Sequence, residues 1–228
     1  MHRMLLVAGV LLALCGGMGA TAASRDDDAA FLRRAQAEYA SIIAAQSARG
    51  ALDDPVMLAR VAPIVARLST TAGEWRADAS SWRWEVHVTS DPSVAAFCIA
   101  GGKILVGSAF VQRLKLDDAE LAMMLAHEMA HALAGHRRAR VPVATVDADP
   151  AGEQAASDIA RGQEDEADRI GILIASRAGW SIASLVGFFD KLAADEPAGT
   201  FSASHLSAAA RAENARETAR RLGESGAR

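Results

Sequence analysis

The stretch MLAHEMAHALAGH, residues 124–136, lies inside a segment that reads as one apolar helix from Asp118 to about Arg138. Asp117 followed by Glu120 makes an acidic variant of the capping box, so the helix carries its own start signal. A helix this apolar belongs in a core. It nevertheless sets His127 and His131 one turn apart on one face, with Glu128 directly after the first histidine. A buried neutral imidazole needs partners for both ring nitrogens, and two of them beside a carboxylate multiply that demand. A metal ion answers it: Zn2+ takes about four ligands at roughly 2.0–2.2 Å, and histidines four apart on a helix reach the same ion. This is the HExxH arrangement, in which the glutamate acts as general base on a zinc-bound water. Chance alone would produce it in on the order of one per cent of chains with this many histidines.

The rest of the chain says what surrounds that helix. With 228 residues, 51% of them hydrophobic, there is enough for one compact domain and its core. The net charge of −4, with Lys and Arg scattered, gives no basic field for a nucleic-acid backbone. Helical periodicity predicts further helices over 27–47, 55–68, 163–177, 182–194 and 207–222. WRWEVHV, residues 82–88, alternates with a period of two, and VAAFCIAGGKILVGS, residues 94–108, reads as two strands around Gly101 and Gly102. The expectation is a mostly helical α+β domain with a small antiparallel sheet beside the histidine helix. Residues 140–160 carry Pro, Gly and acids without firm periodicity and read as a flexible excursion.

Arg3, the apolar run from Leu5 to Leu14 and the Ala20-Thr21-Ala22 end have the order of a secretory signal peptide. The expected organisation is therefore a leader over residues 1–22 and one domain over 23–228, exported across an inner membrane to the periplasm. Cys15 offers the alternative of a lipoprotein, the one route by which this chain would associate with a membrane, although Leu14 stands where a small residue is wanted. Without the leader Cys98 is the only cysteine, so no internal disulfide forms, and a small buried residue on a strand is its plainest role.

Two histidines and a water leave one protein ligand to find. An extended histidine motif would need His at 137, where Arg137 stands; His136 is one residue early and reads as a polar residue at the helix end. The other source is GQEDEADRIGILIASRAGW, residues 162–180, where Glu164 and Asp168 share a helical face and Asp165 reads as part of a solvated acidic helix start.

From Trp82 to Arg211 the chain resembles the M48 family of zinc metallopeptidases. WRWEVHV, AFCIAGGKILVGSAFV, LAHEMAH and EDEADRIGILIASRAGW match in order, and HExxH with ExExD is a specific pair. The resemblance implies a zincin-like (gluzincin) fold and one Zn2+ per chain held by His127, His131 and Glu164. It makes Glu128 the base and proton shuttle, and Asp168 the acceptor that fixes the tautomer of His127. SHLSAAAR supplies His205 and Arg211 at the spacing of a family histidine and arginine beside the site, with Leu206 where proline is usual. His205 then reads either as an inhibitory zinc ligand or, like Arg211, as a stabiliser of the oxyanion. Ala95, Ala96 and Phe97 fall on the strand bordering the cleft, where family members carry Asn-Ala-Phe, so one side-chain contact to substrate backbone is absent. The implied activity is zinc-dependent endopeptidase action on exported or misfolded envelope polypeptides, in a minimal version without the membrane helices of the prenyl protease. Two other classes stay open: a zinc-site chaperone that binds such proteins without cutting them, and a structural zinc site that would recruit Cys98.

Overall fold

The computed structural model describes residues 18–136, 150–195 and 207–226. A long helix, α1 (Met18–Ala48), is followed by α2 (Pro55–Ser69), the short α3 (Ala72–Trp75) and a 3-10 turn. Then come β1 (Glu85–Thr89), β2 (Ala96–Ile99) and β3 (Lys103–Gly107), a short α4 (Ser108–Arg113), and the histidine helix α5 (Asp118–Ala134). The chain closes with α6 (Pro150–Arg177), α7 (Ile182–Asp195) and α8 (Ala208–Gly226). The mostly helical α+β expectation holds, with one change in the sheet. Strand β2 pairs with β3 as an antiparallel hairpin, but β1 pairs with β3 in parallel, in the order β1-β3-β2. Alternation along a strand reports which face is buried and carries no information on strand direction, so the antiparallel expectation for β1 had no means of seeing this.

The sheet divides the core. Val88, Cys98, Ile104 and Val106 face α5 and α2, whereas Ile99, Leu105 and Phe97 face α1, where Tyr39 is buried and donates its hydroxyl proton to the Ile104 carbonyl at 2.6 Å. Helix α5 runs through the middle, packed against β2, α2, α6 and α7. Its capping box forms as read, Asp117 accepting from the Glu120 amide and Glu120 from the Asp117 amide.

Four helix limits differ from expectation, with α1 beginning at Met18 instead of 27 and α8 running to Gly226 instead of 222. Helix α6 begins at Pro150, not near residue 163: proline is well suited to a first helical turn, and the alanine-rich residues after it are strong helix formers. Helix α5 stops at Ala134 because Gly135 caps it in the left-handed conformation, φ 76°. That early stop removes His136 from the helix.

Helix α6 lies unusually close to α5 at one point. A Cβ on Gly171 would stand 3.0 Å from the amide nitrogen and 3.1 Å from the Cα of His127, so only glycine permits this approach. Gly171→Ala should lower stability by about 1–3 kcal/mol, as overpacking does, and weaken metal binding with it, because the helix carrying Glu164 must move outward. Denaturant melts and metal titration of the variant check this; an unchanged pair of values would mean that the contact yields without moving α6.

Candidate metal centre

The site is built where α5 and α6 run in opposite directions past each other. His127 on α5 meets both Glu164 and Asp168 on α6, and His131, one turn on, meets Glu164 again. The Nε2 atoms of His127 and His131 are 3.1 Å apart. A Glu164 carboxylate oxygen lies 3.5 Å from the first and another lies 3.4 Å from the second. Ligands about 2.0–2.1 Å from a tetrahedral ion stand roughly 3.3 Å from one another, which is the spacing seen here. The chemistry of the donors agrees with the geometry. His127 Nδ1 lies 2.8 Å from Asp168 Oδ1, so the ring donates its proton there and its Nε2 is left as a bare electron pair facing a second imidazole and a carboxylate. Such a convergence calls for a cation. These three residues form the one group of metal-ligating side chains among the described residues.

Behind the ligands lies a buried charge network. Arg211, from α8, donates from Nε to Asp168 Oδ2 at 2.8 Å and from Nη2 to Asp168 Oδ1 at 2.7 Å. Its Nη1 is 3.7 Å from Glu164 Oε2, and its guanidinium stacks near the Phe189 ring. Burial opposes the Asp168 charge, but the hydrogen bonds from Arg211 and His127 outweigh it and lower its pKa. Glu164 is held ionised in the same way, by His127 and His131 against its own burial. Burial also works against a charge on His127, yet Asp168 and Glu164 prevail and raise its pKa to about 9.

Glu128 follows His127 and is half-buried, where its neighbours from Leu121 to His127 are all buried. Viewed down the helix it stands about 60° round from His131, at the side of the ligand face. Ala96 and Phe97 lie on β2, the terminal strand of the sheet, packed along α5; Ala95 precedes the strand and its carbonyl accepts from the Gly107 amide at 2.8 Å. Cys98 is fully buried on the sheet face and stands outside the ligand group. His205, Leu206, Arg137 and Cys15 lie outside the described residues.

One residue was misread from the sequence. His136 does not point away as a polar helix end: it is buried, and its Nδ1 sits 2.8 Å from Nδ1 of His131. The signal was Gly135, whose capping turn sends the chain back toward α5.

Comparison with known proteins points to a metallopeptidase. The model of peptidase family M48 matches residues 55–148, from α2 through the HExxH helix. Over that span, about two fifths of the chain, the sequence is similar to peptidase family M48. Outside that span lie Glu164, Asp168 and Arg211, which the chain brings to the ligand histidines through α6 and α8. Among curated relatives, the mitochondrial metalloendopeptidase OMA1 of Saccharomyces cerevisiae is 34% identical over 115 residues, 42% of this chain and 33% of that protein. The protein of that name from Schizosaccharomyces pombe is 32% identical over 117 residues, 43% of this chain and 34% of its own length. The Arabidopsis thaliana protein is 45% identical over 53 residues, 23% of this chain and 11% of its own. The chain thus spans about a third or less of the relatives it matches. No described helix is long and apolar enough to cross a membrane.

Proposed function

We propose that this chain is a zinc-dependent endopeptidase. The observation that carries the reading is the donor spacing of His127, His131 and Glu164, 3.1–3.5 Å, which suits one tetrahedral ion with a position left for water. Bound there, zinc supplies the Lewis acidity that polarises a peptide carbonyl and eases deprotonation of water. The protein's own groups do the rest. Asp168 holds His127 in the tautomer that presents Nε2 to the site, and Arg211 holds Asp168 and the rim of Glu164. Glu128 takes a proton from the attacking water and returns it to the leaving amine nitrogen. Substrate in extended form would lie along β2 near Ala96, its backbone continuing the sheet. His205, if it reaches the site, completes this machinery as an oxyanion donor or an inhibitory ligand.

The substrates proposed are unfolded or misfolded exported proteins, and the compartment the periplasm. Support for both comes from the leader-like order of residues 1–22, with Cys15 as the alternative anchoring point. Purified protein should cleave an unfolded polypeptide, lose that activity to a chelator and regain it on return of zinc. Suppression of substrate aggregation without any cleavage, in the zinc-loaded protein, would instead establish the chaperone reading.

A further inference from the structure

We infer that His136 is the positioning residue for the metal ligand His131, and that Glu166 anchors it, just as Asp168 positions His127. This rests on the metal-site reading above. A histidine that offers Nε2 to a metal must carry its proton on Nδ1, and that proton needs an acceptor to fix the ring. For His127 the acceptor is Asp168, at 2.8 Å. For His131 the atom at the same distance is Nδ1 of His136.

One arrangement of protons satisfies the whole row. His131 donates Nδ1–H to a bare Nδ1 on His136; the His136 proton then resides on Nε2, which lies 3.2 Å from Glu166 Oε2 and donates to it. The opposite tautomer of His136 would set two N–H groups against each other and turn a lone pair toward a carboxylate, a clash at both ends of the ring. The ring is also held in place. His136 is 7% exposed and packs edge-on against His131, with centroids 5.0 Å apart. On a continuing helix, a residue five positions after His131 would point about 140° away from it. The left-handed turn at Gly135 is what brings it back.

The same row gives a use to the middle acid of the ExExD motif. Glu164 and Glu166 are two apart on α6 and cannot both face the ion. Glu164 faces the histidine pair, while Glu166, half-exposed, meets the chain where it leaves α5.

The test compares wild type, His136→Leu, His136→Asn and Glu166→Ala. It measures zinc affinity against a chromophoric chelator and the visible spectrum of the cobalt(II)-loaded protein. Leucine fills the space without an acceptor, whereas asparagine places an amide oxygen near the Nδ1 position. His136→Leu should bind zinc about 10- to 100-fold more weakly with an altered cobalt spectrum, and His136→Asn should recover to within about threefold of wild type. Glu166→Ala, at a half-exposed position, should cost about three- to tenfold in affinity with the melting temperature of the metal-free protein unchanged. His136→Leu binding as wild type does, or His136→Asn binding as weakly as leucine, would overturn the role. Should His136→Leu fail to fold, unchanged affinity in Glu166→Ala overturns it instead. A wild type that binds neither zinc nor cobalt would remove the metal-site reading itself, a result distinct from any of these.

Discussion

Glu128→Gln is expected to keep its metal and lose the reaction. Glutamine has the shape of glutamate and none of the three ligands is touched, so zinc affinity should stay within about threefold of wild type, while kcat/KM on an unfolded protein falls by about 10²–10⁴. The amide cannot accept the proton that water must shed, nor hand one to the departing amine. The position suits proton transfer, since Glu128 is half-buried at the side of the ligand face, next in sequence to His127 and within one turn of His131. Parallel measurement of bound metal and cleavage rate separates this from simple loss of the site. A variant that cuts within about tenfold of wild type would remove Glu128 from the proton transfer.

Asp168→Ala is expected to damage folding as well as metal binding. From the sequence alone this substitution should spare the fold and weaken zinc affinity by about 10- to 100-fold, since only the partner of His127 is lost. The structure raises the stake on stability. Asp168 is 1% exposed and carries two hydrogen bonds from Arg211, whose side chain is 12% exposed. Removing the carboxylate strands a guanidinium in the interior, a loss of about 3–5 kcal/mol and so a large part of what a domain of this size possesses. Denaturant unfolding of the metal-free protein measures it. Truncating Arg211 in the Asp168→Ala background should recover part of the loss, because the second change removes the stranded charge. A loss below about 1 kcal/mol would show that Arg211 finds water or Glu164 instead, and that the network is dispensable to the fold.

Much of the centre was legible because its residues obey local rules. The capping box at Asp117 and Glu120, the apolar periodicity after it and the HExxH spacing all lie within one helix, and helical geometry alone puts His127 and His131 together. Glu164 and Asp168 were readable as one face of a second helix, though which α5 residue each would meet depended on how the helices cross. That crossing is set by the gap left at Gly171, a fact of packing that no pattern of residue types announces. His136 was missed for a related reason: its place depends on one left-handed residue, Gly135, and a periodicity argument carries the helix straight through it. The parallel pairing of β1 with β3 was invisible because direction is decided by the connection between strands, and the start of α6 because the residues after Pro150 carry no firm apolar periodicity although proline suits a first helical turn.

The ligands come from two helices, α5 and α6, with more than thirty residues of chain between His131 and Glu164. An ion bound there would add an exchangeable cross-link between the helices to the ion pairs of Asp168 with His127 and Arg211. Its contribution to folding follows mass action: a thousandfold excess of free zinc over the dissociation constant adds about 4 kcal/mol to stability, and scarcity withdraws it. Zinc supply would set how many copies stay folded as well as how many are active, and a starved pool would lose protein to unfolding, with α6 parting from α5.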